Sequence, residues 1–481
     1  MRKVVWPFII LVFLAACSPY GGRLKHSYTE NDTRIQDKPI HTGWKIPFDG
    51  GDSRPVIEQG IIYIGSETGV VHAVDANTGE IIWKFQQGTK GEPGPTIIES
   101  DKGDVQSMIA AAHNMVAEGQ HKIKATPIID DGIVYIGSLD LHMYAINAKS
   151  GQMVWSAKLG EIRDRAQVAG ESIIVHVRGP RTLQWFPRIR VLDRKGGIRW
   201  STPDDQMATY PTIDKNNIYY SLFQPKTEGQ SPFFSLYSAD LKTGKALWVT
   251  KLKGKRPYTA VIAAGRIYVT AFEGGEIIQV PGGVSSAPKT IHLYALEVEN
   301  GKLLWDVTAG EPVLTDAPIT VGQNLLFIAT GEGLQAFDRT TGNRRWIIRE
   351  DFSPYNLHVG RYLYALKGGF GEDSTLEALS LQDGKQIWSA KLGNTGHNIY
   401  TKEGVLYVTA YKDLFAFDSA TGKRLWKFTT WSFFNPGTRI TTAPEIYQGQ
   451  LIFPSVTQTF FGKSPIQGYL YSIDLETGEM N

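Results

Sequence analysis

The chain has 481 residues, of which 42% are hydrophobic and 20% charged, and its formal net charge at pH 7 is +2. This length and hydrophobic content suffice for a large buried core and exclude a mainly disordered chain. Charge that is almost balanced, with no basic stripe, argues against a nucleic-acid-binding protein, because such proteins normally carry a basic excess.

The first 16 residues have the pattern of an export signal. A basic start, "MRK", precedes the apolar run "VVWPFIILVF", which is too short to span a membrane and is typical of a signal-peptide core. The next four residues, "LAAC" (14–17), resemble the lipobox of bacterial lipoproteins, which implies cleavage before Cys17 and acylation of that residue with palmitate-type chains. Cys17 is the only cysteine, so it has no disulfide partner within the chain. An ordinary signal peptide with a chance cysteine is the alternative.

The residue after Cys17 bears on the membrane to which the protein is sorted. In the lipoproteins that this segment resembles, an aspartate there favours retention in the inner membrane, whereas this chain has Ser18. We therefore expect a lipid-anchored protein on the periplasmic face of the outer membrane, since several acyl chains anchor a protein durably. Residues 17–41 are polar and without pattern and predict a flexible tether, and residues 42–481 are predicted to form a single domain.

A short motif recurs from residue 73 to the end of the chain. Clear copies are "AVDANTGEIIW" (73–83), "AINAKSGQMVW" (145–155), "ALEVENGKLLW" (295–305), "AFDRTTGNRRW" (336–346) and "AFDSATGKRLW" (416–426). Self-similarity at a spacing of about 40 residues predicts a repeat architecture. Each unit contains four short apolar segments separated by turn residues, which indicates a four-stranded antiparallel meander whose last strand carries the tryptophan. The glycine of the motif suits a turn residue with positive φ.

A single meander cannot bury both of its faces, so the units are expected to stack as blades of a closed ring. The last unit, "SIDLETGEMN", stops before its tryptophan strand, and an unpaired tryptophan strand, "TGWKIPF" (42–48), lies near the start of the domain. Trp44 is therefore predicted to complete the final blade. The tryptophans expected to dock on the neighbouring blade are Trp44, Trp83, Trp155, Trp200, Trp248, Trp305, Trp346, Trp388 and Trp426. They count nine blades, and eight is the alternative if the unit ending at Trp200 is incomplete.

The repeated unit, A-x-D-x-x-T-G-x-x-x-W, resembles the tryptophan-docking repeat of the pyrroloquinoline-quinone (PQQ)-like β-propellers over nearly the whole predicted domain. The resemblance implies an all-β propeller. That family includes quinoprotein dehydrogenases and also lipoproteins without enzymatic activity, such as the BamB-type subunit of the machinery that assembles outer-membrane β-barrels. The second group implies a scaffold whose partner is the assembly machinery or another envelope protein.

Insertions into the repeat are confined to two kinds of connection. The second-to-third loops and the links between blades lie on one face of such a meander, and the long irregular segments fall there: 86–122, 178–188, 224–234, 273–290 and 457–468. Insertions restricted to one face typically mark the working face. The connections on this face carry the aromatic residues Trp185, Phe186, Phe233, Phe234, Trp431, Phe433, Phe434, Phe460 and Phe461. They form a candidate partner face, because large exposed aromatics anchor interfaces. The alternative is that these segments fold back and cap the propeller.

Polar residues near the starts of the first strands are expected on the same face. Arg54, Lys124, Gln167, Arg256, Asp316, His397, Asn398 and Arg439 are candidates for the lining of a central funnel. Ordinary solvation of a channel mouth is the alternative interpretation.

No motif predicts a catalytic residue, a bound cofactor or a metal site. The resemblance to quinoprotein dehydrogenases would imply PQQ beside a calcium ion and, in many members, a disulfide between adjacent cysteines, which a chain with one cysteine cannot form. We therefore expect a protein that acts by binding. A PQQ-dependent periplasmic oxidoreductase and an envelope protein that binds a small ligand are the two alternatives.

Overall fold

The structure is a computed structural model that describes residues 42–87, 122–178, 187–223, 233–254, 257–273, 277–280, 283–286, 290–311, 318–368, 374–393, 396–430, 438–440, 442–457 and 467–475. These residues belong to one compact unit, Asp37–Asn481. All regular elements among them are β-strands. In these ranges no helix has the length and apolar character needed to cross a membrane.

The first strand, β1 (Thr42–Phe48), does not belong to any of the three blades that follow it in the chain. Blade 1 consists of β2 (Val56–Glu58), β3 (Ile61–Gly65), β4 (Val70–Asp75) and β5 (Ile81–Gln86). Blade 2 consists of β6 (Ile128–Asp130), β7 (Ile133–Gly137), β8 (His142–Asn147) and β9 (Met153–Lys158), and blade 3 of β10 (Gln167–Ala169), β11 (Ser172–Val177), β12 (Arg188–Leu192) and β13 (Ile198–Ser201). Each is an antiparallel meander in chain order.

Blades 4 to 6 keep this order with two additions. Blade 4 consists of β14 (Met207–Ala208), β15 (Thr212–Asp214), β16 (Asn217–Phe223), β17 (Phe233–Asp240) and β18 (Ala246–Lys253), and both β14 and β15 pair with β16. Blade 5 is formed by β19 (Val261–Ala263), β20 (Arg266–Glu273), β23 (Thr290–Glu297) and β24 (Leu303–Gly310), with a separate hairpin of β21 (Ile277–Val280) and β22 (Gly283–Ser286) between its second and third strands. Blade 6 consists of β25 (Thr320–Val321), β26 (Leu325–Thr330), β27 (Gly333–Asp338) and β28 (Arg344–Ile348).

The last three blades complete the ring. Blade 7 consists of β29 (Phe352–Val359), β30 (Leu363–Lys367), β31 (Thr375–Leu379) and β32 (Gln386–Lys391), and blade 8 of β33 (Gly396–Lys402), β34 (Val405–Ala410), β35 (Asp413–Asp418) and β36 (Arg424–Thr429). Blade 9 contains β37 (Thr438–Ile440), β38 (Glu445–Tyr447), β39 (Gln450–Thr457) and β40 (Gln467–Asp474). Its outer strand is β1, which pairs antiparallel with β40.

The structure confirms the prediction of nine blades closed by an N-terminal strand. In the register of β1 with β40, Lys45 lies opposite Tyr471 and Phe48 opposite Gly468. The unit ending at Trp200 is a complete four-stranded blade, which excludes the eight-bladed alternative.

The core lies between neighbouring blades. The second and third strands of a blade are buried along nearly their whole length, as in β3 and β4, because both of their faces are covered by adjacent blades. One such cluster joins Tyr135 and Met143 of blade 2 to Ile173 and Val175 of blade 3. Each blade therefore buries its apolar faces against its two neighbours.

The strands extend further into the insertions than the repeat indicated. Phe233 and Phe234 open β17, and Arg188 opens β12, so the predicted loop bounds 178–188 and 224–234 were too wide. The reason is that Phe234 is 1% exposed and packs in the core cluster with Leu252 and Tyr294. The insertion 273–290 likewise contains the hairpin of β21 and β22.

Candidate functional site

Eight of the nine tryptophans on outer strands contact the turn between the third and fourth strands of the next blade, and the turn facing the ninth, Trp426, lies mostly outside the described residues. In seven cases its indole Nε1 donates to the carbonyl oxygen of the residue after the turn's Asp, Asn or equivalent. These pairs are Trp44 with Ala76, Trp83 with Ala148, Trp155 with Arg194, Trp200 with Leu241, Trp248 with Val298, Trp346 with Leu381, and Trp388 with Ser419, at 2.8 to 3.2 Å. The hydrogen bond fixes the position of each blade relative to the next.

The glycine of the motif is required by the same contact. Gly79 has a φ of +75°, and a Cβ built on it would lie 2.8 Å from Cδ2 of Trp44. The turn itself is held by Asp75, whose Oδ1 accepts hydrogen bonds of 2.9 Å from the backbone N–H groups of Asn77 and Thr78. A larger residue at 79 would therefore strain the backbone and displace the indole.

Two tryptophans dock differently. Trp305 packs on Gly342, but its buried Nε1 has no hydrogen-bond partner. The equivalent carbonyl, that of Arg339, accepts instead from Arg266 Nη1 at 2.9 Å and from the Tyr268 hydroxyl at 3.2 Å. Trp426 packs against the core cluster that blades 8 and 9 share, as does Leu475.

Four of the predicted funnel residues lie together near the starts of the first strands of blades 8, 9, 1 and 2. Lys124 Nζ is 2.8 Å from Asp52 Oδ2, and Arg439 Nη2 is 4.0 Å from the other oxygen of that carboxylate. Arg54 Nη2 lies 2.9 Å from Glu445 Oε1. Asp52 therefore links blades 9, 1 and 2, since Arg439 belongs to β37 and Lys124 precedes β6.

The pKa of the fourth residue, His397, is affected by the positive charge of this network. Burial lowers the pKa of its imidazole, and the nearby Arg439 guanidinium lowers it further. Burial raises the pKa of Glu445, against the opposing effects of Arg54 and then Arg165. Arg54 precedes β2 of blade 1 and Arg165 precedes β10 of blade 3, so charges from two other blades oppose the effect of burial on the pKa of this carboxyl.

Two further funnel candidates are engaged with backbone or neighbouring strands. Gln167 Nε2 donates to the carbonyl oxygen of Pro211 at 2.8 Å, and Asn398 Nδ2 donates to Thr409 Oγ1 at 3.1 Å. Arg256 and Asp316 lie outside the described residues. The structure therefore brings together Arg54, Lys124, His397 and Arg439 and assigns structural contacts to Gln167 and Asn398.

The carboxylates of this network were not identified from the sequence. Asp52 and Glu445 bind the predicted cations, and Glu67 Oε2 lies 2.6 Å from Lys122 Nζ. Asp52 and Lys124 are 72 residues apart, so no local spacing reveals the pair. The only available signal was that charged residues recur near the starts of first strands.

Of the nine aromatics proposed for the partner face, the structure describes two. Phe233 is half-buried, and Lys251 Nζ lies 3.4 Å from the centroid of its ring, a cation–π contact. Phe234 is 1% exposed, so its assignment to an exposed partner face was wrong, because its side chain fills the space between blades 4 and 5. Trp185, Phe186, Trp431, Phe433, Phe434, Phe460 and Phe461 lie outside the described residues.

The described residues do not fit a calcium ion beside a quinone. Such an ion needs several oxygen ligands, carboxylates above all. In the described ranges no group of three or more His, Cys, Asp or Glu side chains could hold a metal ion. In the network around the predicted funnel residues, Asp52, Glu67 and Glu445 each form an ion pair with a lysine or an arginine.

A family model described as "Outer membrane protein assembly factor BamB" matches residues 35–279, 233–361 and 372–480. The chain is 24% identical over 359 residues to tetrathionate hydrolase of Acidithiobacillus ferrooxidans, covering 62% of this chain and 65% of that protein. It is 25% identical over 315 residues to outer membrane protein assembly factor BamB of Moranella endobia, covering 54% of this chain and 77% of that protein. The chain thus spans slightly less than two thirds of the hydrolase.

Among solved structures, the chain is similar to a europium-containing methanol dehydrogenase, with a TM-score of 0.52 and 14% identity. The superposition covers 90% of this chain and 93% of that one. At this identity the likeness concerns the propeller fold alone.

Proposed function

The chain belongs to the family described as outer membrane protein assembly factor BamB, and we propose that it is a periplasmic scaffold in the assembly of outer-membrane β-barrel proteins. The observation that carries the proposal is the extent of the family match, which runs through the propeller from residue 35 to residue 480 with one gap. A match of this extent includes the ring closure by β1 and the decorated face together.

The chemistry of the channel mouth supports binding rather than catalysis. A metal ligand needs a carboxylate whose charge is free to face the metal cation. Asp52 and Glu445 are instead held by Lys124 and Arg54 at 2.8 and 2.9 Å. Ion pairs that join neighbouring blades stiffen a platform on which a partner can dock.

We propose that Cys17 carries the lipid anchor and that residues 17–41 tether the propeller to the periplasmic face of the outer membrane. The support is the lipobox-like segment "LAAC" and the absence of any other cysteine. The tether continues directly into β1, which is the outer strand of blade 9. A partner such as the assembly machinery would then be contacted within tether length of the membrane.

The decorated face is the proposed partner surface. Its support is the concentration of insertions at one end of the blades and their aromatic content, with Trp185, Trp431 and Phe460 as the proposed anchors. Phe233 follows the insertion 224–234 directly as the first residue of β17. The ammonium group of Lys251 covers one side of its ring.

The experiment is removal of the gene from the native host, followed by measurement of folded β-barrel proteins in the outer membrane by heat-modifiable gel migration. The proposal expects lower levels of several barrel proteins, restored by the wild-type chain. The matched control is a chain with Lys242→Ala, in an exposed turn between third and fourth strands, which leaves every insertion in place and should restore them. Unchanged barrel proteins in the deletion strain, together with PQQ binding by the purified chain in the presence of calcium, would support a quinoprotein instead.

A further inference from the structure

A cavity of about 410 Å³ lies where blades 6 and 7 meet. Blade 6 contributes residues 322–325, in and beside the turn between β25 and β26, together with Phe327, Asp338 and Arg345, and blade 7 contributes Leu381 and Gln382 from the turn between β31 and β32. The volume is within the range of about 300–1,000 Å³ that is usual for small-molecule pockets. These turns lie at the end of the blades opposite to the insertions, so the cavity is not part of the decorated face.

The cavity coincides with a departure from the repeat. In blades 1, 5 and 7 the second strand carries a tyrosine whose hydroxyl donates to a carbonyl in the turn of the next blade: Tyr63 to Ala148 at 3.3 Å, Tyr268 to Arg339 at 3.2 Å and Tyr364 to Ser419 at 2.9 Å. Blade 6 has Phe327 at this position, opposite Ala336 of the motif. The corresponding carbonyl, that of Leu381, accepts from Trp346 Nε1 at 3.1 Å. The hydroxyl that occupies this junction in the other three blades is therefore absent from blade 6.

The charges that line the cavity are paired with each other. Arg345 Nη2 lies 2.6 Å from Asp338 Oδ2, and Asp338 Oδ1 accepts hydrogen bonds of 2.9 Å from the backbone N–H groups of Thr340 and Thr341. The hydrogen bond from Arg345, more than those of the turn, lowers the pKa of Asp338 to about 2. Among the described residues that line the cavity, Asp338 and Arg345 alone are charged, so the site favours an uncharged ligand.

The other lining residues combine free carboxamides with apolar side chains. The exposed side-chain carboxamides are those of Gln323, Asn324 and Gln382, which form no hydrogen bond within the described part of the chain. Each carboxamide offers two N–H donors and one carbonyl acceptor. The apolar side chains are those of Leu325, Phe327 and Leu381. A few polar groups that fix orientation beside an apolar lining are typical of a small-molecule site.

We propose that the junction of blades 6 and 7 binds one sugar unit of a neutral saccharide. The hydroxyl groups around a pyranose ring both donate and accept hydrogen bonds, as the three carboxamides require, and the C–H groups on its faces can pack against the apolar side chains. A peptide would bind through its extended backbone, which needs an open strand edge rather than a cavity bordered by turns. The site lies on the face opposite to the decorated face and does not depend on the proposed role in barrel assembly.

The test uses the purified full-length chain, in buffer and detergent free of sugars, and saturation-transfer NMR with a panel of neutral hexoses, N-acetylhexosamines and their disaccharides. We expect saturable binding of at least one saccharide, which Asn324→Ala and Gln382→Ala each weaken about fivefold, because each variant loses one neutral hydrogen-bonding group. Gln152→Ala is the matched control. It removes an exposed carboxamide from the corresponding turn of blade 2, where Tyr63 is present, and it should leave the affinity unchanged.

A variant that restores the repeat guards against misfolding. Phe327→Tyr places a hydroxyl where blades 1, 5 and 7 have one, so it should keep the thermal midpoint of the wild type and weaken saccharide binding at least about tenfold. Saturable binding of no saccharide in the panel, or equal binding by the wild type and Phe327→Tyr, would overturn the proposal. Binding of an uncharged tripeptide that Gln382→Ala weakens, without binding of any saccharide, would overturn it in favour of a peptide site.

Discussion

The indole Nε1 of Trp44 donates a 3.0 Å hydrogen bond to the carbonyl oxygen of Ala76. Trp44 lies on β1, the outer strand of blade 9, and Ala76 lies in the last turn of blade 1. This bond therefore joins the last blade to the first. Seven such bonds occur among the described residues, but only this one depends on a strand from the opposite end of the chain.

Replacement of Trp44 by Phe should destabilise the ring through loss of this hydrogen bond. Trp305→Phe is the matched control, because Trp305 occupies the equivalent position with an Nε1 that has no partner. Both variants lose similar packing, so the difference between them isolates the bond. We expect Trp44→Phe to lower the free energy of unfolding by about 1 kcal/mol more than Trp305→Phe. Equal losses in urea unfolding would show that the bond at Ala76 contributes nothing.

Two glycines in turns provide a second pair of matched variants. Gly79→Ala should cost more stability than Gly132→Ala, although the two residues have similar φ values of +75° and +70°. A Cβ at Gly79 meets Trp44 at 2.8 Å, whereas a Cβ at Gly132 meets no atom within 4 Å. The left-handed backbone costs both variants about 1 kcal/mol, and only Gly79→Ala also displaces the indole. The thermal midpoints of the two variants measure the difference, and the account fails if Gly132→Ala is the less stable.

His72 should make the stability depend on pH. Burial, and then the charge of Lys84, lower the pKa of its imidazole to about 4, while Asp49 opposes the shift. The unfolded chain binds this proton near pH 6.5 and the folded chain does not, so the contribution is complete above pH 6.5 and is lost as the pH falls towards 4. The size is at most about 3 kcal/mol.

The measurement compares wild type and His72→Gln by urea unfolding at pH 7.5 and pH 4.5. Acid should destabilise the wild type more than the variant, because a glutamine side chain does not titrate. Other carboxylates titrate in both proteins and cancel in the double difference. An equal loss of stability in the two proteins would contradict the assignment of a buried neutral His72.

Replacement of Cys17 by Ser should release the protein from membranes. The hydroxyl cannot take the acyl chains that we propose for the thiol, and no helix among the described residues provides a membrane span. Fractionation of cells followed by immunoblotting checks the result. Continued membrane fractionation of the variant at high salt would refute the lipid anchor, and Ser18→Ala serves as the control that should remain membrane-bound.

The blade number and the closure of the ring could be predicted because short sequence patterns indicate both. A truncated last unit and an unpaired strand at 42–48 are complementary, and the structure pairs them as β40 and β1. The glycine and aspartate of each turn were predictable for the same reason, since their constraint lies within five residues.

Contacts between distant segments could not be predicted in this way. Arg266 donates to the carbonyl that the indole of Trp305 would otherwise use, and it lies more than 70 residues from Arg339. Phe234 resembles an exposed loop aromatic in sequence, but strand pairing with Leu252 carries it into the core. The partners of the funnel cations are distant for the same reason, because a propeller brings each blade's links next to those of its neighbours.

The proposed assembly role is tested most directly by site-specific photocrosslinking in living cells of the native host. A photoreactive amino acid at Phe233 or Trp431 samples the decorated face, and the same group at Thr243 or Thr421, in turns between third and fourth strands, samples the opposite face. The account predicts crosslinks from the first two positions to a component of the outer-membrane assembly machinery and none from the second two. Crosslinks to that machinery from the turn positions alone, or from none of the four, would contradict it.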